Sequence, residues 1–295
     1  MVHSGDMLRF VKAKQLVGRP TRAVLRRLGY EVHRRDGAEL FPVDYDQATI
    51  ELFQHVEPFT LTSHERIHAL RAAVRYLVEA GVEGAFLECG VWRGGSMLAV
   101  ARTLVSMGAV DRDLYLFDTF TTMPPPGEED VDVWGNRAAD FYDEALAHPG
   151  FSYLPMERVR ELLVRTGYPD ERLHFVAGLV EDTIPDHAPD QIALCRLDTD
   201  WYESTQHEME HLFPRIAEGG VLIVDDYGQF MGAKHAVDEY LDSIGNGVLL
   251  NRIDFTGRLA VVTADVRSRA LHRSRLGHAR PRRARVATIE PSPTT

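Results

Sequence analysis

The sequence predicts an α/β protein built on a doubly wound, mostly parallel sheet, and three observations carry that reading. From Ala85 onward short apolar runs alternate with helical segments: Ala85 to Cys89, Leu114 to Phe117, His174 to Ala177, Ile192 to Leu197, Val221 to Val224 and Leu259 to Val262. Strands interleaved with helices in this way form βαβ units. Two of the runs end in acids, Asp198-Thr-Asp200 and Asp225-Asp226. A third runs through Glu88-Cys-Gly90-Val-Trp92-Arg-Gly-Gly-Ser96 into an apolar helical stretch from Met97 to Leu104. Acids and glycines gathered at the carboxyl ends of strands mark the edge where open α/β sheets bind ligands.

At 295 residues and 44% hydrophobic content, the chain can bury one large core. Residues 1–58 read as a helical and loop segment, 59–265 as the main domain and 266–295 as a basic, disordered tail. In the head, Leu8, Val11, Leu16, Val24, Leu25 and Leu28 lie among Arg and Lys and suggest amphipathic helix, which makes a homodimer or higher homo-oligomer possible. A loop is expected around Phe41 to Pro58. Thr62 or Ser63 then opens a helix through Ala80, with Ile67, Leu70, Ala73, Val74 and Leu77 at helical spacing. Between Thr119 and Pro169 a long insert contains Met123-Pro-Pro-Pro126 and Glu128-Glu-Asp-Val-Asp132. Its place and length suggest an active-site lid, with a surface loop as the alternative.

The net charge is −11, and residues 1–35 and 266–295 each carry +7, leaving −25 on the body between them. An acidic body argues against nucleic acid as a partner. The Arg-rich tail reads as a solvated extension, with an arm for RNA or an anionic surface as the other reading. No apolar run reaches the length of a membrane span. The start shows no signal peptide pattern, and the two cysteines, Cys89 and Cys195, suit free buried thiols in a reducing cytoplasm.

Three or four carboxylates converging at strand ends repel one another unless a cation or shared protons neutralise them, and a hard divalent ion such as Mg²⁺ suits a few carboxylate oxygens. The plainer alternative makes Asp198 a turn residue and Asp225-Asp226 the start of a solvated loop. In the glycine turn, free N–H groups and close backbone approach favour a ligand, yet Glu88 disfavours a pyrophosphate. S-adenosylmethionine, with its ammonium, sulfonium and neutral ribose, meets that requirement, and Glu88, Gly90, Trp92 and Ser96 are assigned to it. Asp118, ending the second strand, matches the paired ribose hydroxyls. Leu179 and Val180 could wall an adenine whose amino group Glu181 or Asp182 accepts.

Glu88 to Ser96, Phe117-Asp118-Thr-Phe120, Leu197-Asp-Thr-Asp-Trp-Tyr-Glu-Ser-Thr205 and Gly220-Val-Leu-Ile-Val-Asp-Asp-Tyr227 together resemble the macrocin O-methyltransferase family over residues 60–262. That family methylates sugar hydroxyls of macrolide and aminocoumarin antibiotics with S-adenosylmethionine and Mg²⁺. The resemblance implies a class I methyltransferase fold, Rossmann-like with seven strands, in which Asp198, Asp225 and Asp226 hold the metal and Asp200 is the general base. It implies as acceptor a hydroxylated small molecule, a sugar with vicinal hydroxyls or a glycosylated natural product. An aromatic diol, as in catechol-type enzymes, is the alternative acceptor, and a non-catalytic cofactor-binding protein the alternative class. Thr199 and Trp201 stand where many antibiotic-tailoring members carry Gly and Met, and the Arg-rich tail has no counterpart. Trp201, Tyr202 and Tyr227 flank the acids and could stack on the acceptor ring or simply belong to the core. Lys234 and His235 could touch it or stay solvated. One competing motif, His207-Glu-Met-Glu-His211, matches the zinc-protease spacing but offers no certain third ligand.

Overall fold

The computed structural model describes residues 41–275. The head expected to be helical and residues 276–295 of the tail lie outside the described residues. Every element below belongs to the compact unit that begins at Tyr45.

The elements run α1 (Gln47–Val56), α2 (His64–Glu79), β1 (Ala85–Cys89), α3 (Gly95–Met107), β2 (Leu114–Asp118), α4 (Tyr142–Ala147), α5 (Met156–Val164), β3 (Leu173–Ala177), α6 (Val180–Thr183), β4 (Ile192–Leu197), α7 (Tyr202–Leu212), β5 (Ile216–Val224), α8 (Met231–Ser243), β6 (Asn251–Arg252), β7 (Arg258–Val261) and α9 (Ala264–Arg275). The strands form one sheet in the order β3-β2-β1-β4-β5-β7-β6. Pairings from β3 to β5 are parallel, while β7 runs antiparallel to both β5 and β6. The expected α/β, doubly wound, seven-stranded sheet is thus present. Its order reverses between β1 and β4, the switch point where open sheets hold ligands.

Burial explains the central strands. All residues of β1 and of β4 are buried, as befits parallel strands covered on both faces. One core cluster joins Leu87, Phe117, Cys195 and Leu222 of the sheet to Met209, Leu212, Val237 and Leu241 of the covering helices. The thiols of Cys89 and Cys195 are buried and free. Backbone bonding continues past the strand ends: Asp198 N–H donates to the Cys89 carbonyl at 2.9 Å, Asp225 N–H to Leu197 at 2.9 Å and Gly90 N–H to Phe117 at 2.9 Å. The first loop residues after β1, β4 and β5 are therefore held in register at one edge.

Two expectations need correction. The segment read as loop around 41–58 contains α1, whose Asp46 Oδ1 accepts from Thr49 N–H at 2.7 Å as an N-cap. Thr49, Leu52, Phe53 and Val56 are its buried stripe, a helical spacing that was present in the sequence. The tail read as disordered from 266 instead continues as α9 to Arg275, with Val266 and Ala270 in the main core cluster; sparse but correctly spaced apolar residues suffice to dock a helix whose other face is charged. The insert carries α4 and α5 and closes a small cluster of its own, with Ala138, Met123, Phe141 and Tyr142 against Trp201, Phe230 and Ala233. Among the described residues no helix is long and apolar enough to cross a membrane.

Ala270 has no exposed surface, so Ala270→Leu is expected to cost about 1–3 kcal/mol through overpacking, read by urea denaturation. A tail lying free in solvent would tolerate the change without loss.

Candidate active site

Arg196 is the centre of the edge above β1, β4 and β5. It is the fifth residue of β4 and pairs in register with Glu88 on β1. Its Nη1 donates to Glu88 Oε1 and to Asp198 Oδ2, each at 2.6 Å, and its Nη2 to Asp225 Oδ1 at 2.5 Å and Thr62 Oγ1 at 3.0 Å. Burial works against its charge, but the Asp198, Asp225 and Glu88 carboxylates outweigh it. A second guanidinium comes from the first turn of α2, where Arg66 Nη1 donates to Asp225 Oδ2 and Nε lies 3.0 Å from Asp254 Oδ2. Ser63 caps that helix through Arg66 N–H at 3.2 Å and donates its hydroxyl to Asp254 at 2.7 Å.

Asp198, Asp225 and Asp226 each present an oxygen within 4.8 Å of the others. They are the one such cluster among the described residues. Asp200 sits beside them with φ at 66°, the left-handed region, and shares a hydrogen bond with Asp226. Five carboxyls, Glu88, Asp198, Asp200, Asp225 and Asp226, thus face two guanidiniums. Burial first, and this imbalance with it, raises the proton affinities of Glu88, Asp198, Asp200 and Asp226. Burial pushes Glu88 up to about 8 against the pull of Arg196, and burial with the nearby Asp225 pushes Asp198 up to about 7. Asp200 and Asp226 are raised by burial first and then by each other or by Asp198. The donor set fits a hard divalent cation: all-oxygen, clustered and carrying excess negative charge. Both Asp225 oxygens also hold guanidiniums, and each oxygen has a second lone pair with which to bind.

The residues assigned to the cofactor divide. Glu88 is buried, its Oε1 serves Arg196, and its Oε2 has no hydrogen-bond partner. Its acid balances a strand arginine before it meets any ligand. Gly90 is needed because a Cβ there would stand 1.9 Å from the Asp198 carbonyl oxygen, so this glycine admits the β4 loop. The same holds for Gly95, where a Cβ would meet the Phe59 carbonyl oxygen at 2.5 Å. Ser96 is buried in the first turn of α3. Trp92 is half-buried beneath the Arg93 guanidinium, 4.4 Å from its ring centre, and its Nε1 is buried without a partner. Asp118 accepts at Oδ2 from Val91 and Trp92 N–H at 2.6 and 2.8 Å and at Oδ1 from Phe120 N–H at 2.7 Å. It therefore shapes the β1–α3 turn and keeps lone pairs for a diol. Glu181 is half-buried and Asp182 exposed, both on α6 after β3, beside an exposed Leu179.

The zinc-protease spacing dissolves in the fold. His207 Nε2 donates to the Ile184 carbonyl at 2.8 Å, which withdraws that nitrogen from metal binding. Glu208 is fully buried and accepts from Thr199 Oγ1 at 3.1 Å. It supports the Asp198–Asp200 loop from below. Trp201 donates to the Pro124 carbonyl at 2.9 Å and is core of the insert, Tyr227 donates to Asp238 at 2.7 Å, and Lys234 pairs with Asp238. Asp130 and Asp132 of the insert's acidic run are buried; Asp130 accepts from Tyr202 N–H at 2.8 Å and caps α7. Arg66, Arg196, Thr62 and Glu208 were missed as site residues. Arg196 could have been found as a charge inside an otherwise apolar central strand, which demands a buried partner.

A family model described as macrocin-O-methyltransferase matches residues 22–260. An 8-demethyl-8-(2,3-dimethoxy-alpha-L-rhamnosyl)-tetracenomycin-C 4'-O-methyltransferase of Streptomyces olivaceus is 33% identical over 67% of this chain and 73% of its own length. A mycinamicin III 3''-O-methyltransferase of Micromonospora griseorubida is 30% identical over 67% of this chain and 76% of its own. The solved O-methyltransferase NovP superposes with a TM-score of 0.61 at 30% identity, over 70% of this chain and 82% of that one.

The raised carboxyls set a pH dependence. A carboxyl whose folded pKa exceeds its unfolded value contributes stability that is present at low pH and lost as pH rises through the folded value. For Glu88 that window is 4.5 to about 8 and for Asp198 3.8 to about 7. In chelator the melting temperature is therefore expected to fall between pH 6 and pH 8.5; a rise over that interval would contradict the charge imbalance.

Proposed function

The chain belongs to the macrocin-O-methyltransferase family, and we propose that it methylates a hydroxyl of a sugar with vicinal hydroxyls on a small molecule or glycosylated natural product, using S-adenosylmethionine and Mg²⁺. That it is an O-methyltransferase follows from the family and its relatives. The observation that carries the finer reading is the edge above β1, β4 and β5, where Asp200 stands beside the Asp198, Asp225 and Asp226 oxygen cluster. The rhamnosyl-directed relative from Streptomyces olivaceus supports a sugar as acceptor.

S-Adenosylmethionine supplies an already activated methyl group, so the protein's work is to position an acceptor oxygen and take its proton. Mg²⁺ held by Asp198, Asp225 and Asp226 would lower the proton affinity of a bound hydroxyl and offset the local negative charge. Asp200 receives the hydroxyl proton. Its left-handed backbone turns it out of line with the β4 strand, and the Thr199–Glu208 bond beneath keeps the loop from sagging. Asp118 accepts the ribose hydroxyls while it holds the β1–α3 turn. Trp92, whose indole N–H is buried without a partner, lines the cofactor side of that turn, and Glu181 or Asp182 receives the adenine amino group.

Asp200→Asn is expected to lower kcat by about 10²–10⁴-fold, with S-adenosylmethionine binding by calorimetry little changed. Asp225→Ala is expected to abolish the Mg²⁺-dependent turnover and leave cofactor binding near that of the wild type. Wild-type protein that binds no S-adenosylmethionine would overturn the reading.

A further inference from the structure

We infer that Arg66 sets the affinity of the carboxylate cluster for its divalent cation, by holding one oxygen of Asp225 with a competing positive charge; this rests on the metal reading above. The two guanidiniums of the site are built differently. Arg196 is encased, with its side chain 4% exposed and bound to Glu88, Asp198, Asp225 and Thr62. It cannot leave without stripping Glu88, Asp198 and Asp225 of the buried donor they share. Arg66 stands at the margin, 16% exposed, and reaches the cluster through one bond to Asp225 Oδ2.

Arg66 also has somewhere else to go. Its Nε faces Asp254, whose oxygens are fixed by the Ser63 hydroxyl and by Thr256 and Gly257 N–H at 2.7, 3.0 and 2.7 Å. Asp254 is therefore an immobile second partner that keeps Arg66 folded against the site whether or not it grips Asp225. Asp225 in turn stays oriented by Arg196 through Oδ1 at 2.5 Å, so losing Arg66 frees Oδ2 without releasing the side chain. A guanidinium this close repels a dication twice as strongly as it repels a proton. Its removal therefore strengthens the pull of the cluster on a dication. The helix α2 that carries Arg66 thus tunes the site from outside the sheet, and its charge keeps metal binding weak enough to exchange.

The test is titration of cofactor-free protein with Mn²⁺, followed by electron paramagnetic resonance, at neutral pH. Arg66→Gln is expected to tighten Mn²⁺ binding by about tenfold, equivalent to ~1.4 kcal/mol, and Arg66→Lys, which keeps the charge, to stay much closer to wild type. Arg66→Met, which removes the charge but keeps the apolar stem, is expected to tighten binding as Arg66→Gln does and supplies a second reading if Arg66→Gln folds poorly. Equal or weaker Mn²⁺ binding by a folded Arg66→Gln overturns the role of Arg66 while leaving the metal site standing. Failure of wild type and every variant to bind Mn²⁺ removes both the metal reading and this inference.

Discussion

The burial of Arg196 at the carboxyl end of β4 is the constraint around which the site is built. A guanidinium inside a parallel sheet is tolerated only when carboxylates surround it, and here β1, β4 and the β5 loop each contribute one: Glu88, Asp198 and Asp225. The arginine fixes the relative positions of three loop starts that backbone bonding has already aligned. Preorganisation of this kind lets a site act by position, since nothing need be ordered when the ligand arrives. Asp200 and Asp226 stand outside the ion pairs of Arg196 and share a hydrogen bond with each other.

Around this ion network the remaining contacts have a supporting sense. Asp118 closes the turn after β1 by three backbone N–H bonds. Glu208 and Thr199 brace the loop after β4, and Arg93 ties the same turn to the insert through the Ser152 carbonyl at 2.7 Å. The turn after β1, the loop after β4 and the insert are thus held by polar bonds at a few named atoms, over a core that is almost wholly apolar.

Much of this was legible in the sequence, and for identifiable reasons. The alternation of apolar runs and helical stretches located six of the seven strands, and β6 escaped because two residues make no pattern. That Asp198, Asp225 and Asp226 gather at one edge was legible because acids following neighbouring buried parallel strands meet there. What escaped were contacts made across the fold. Glu88 pairs with Arg196, 108 residues away, and nothing in a linear reading joins them. The glycines of the turn accommodate the backbone of Asp198 and Phe59, a close approach that only the fold shows. Arg66 carried no signal at all, being one basic residue on an amphipathic helix, and α9 was hidden by the arginines on its solvated face.

Asp130 caps α7 from the insert, more than seventy residues away in the chain. A helix start supplied by a distant segment makes the two inseparable: moving residues 127–138 aside would strip the first turn of the helix that follows the acidic loop. That part of the insert is consequently wall rather than door.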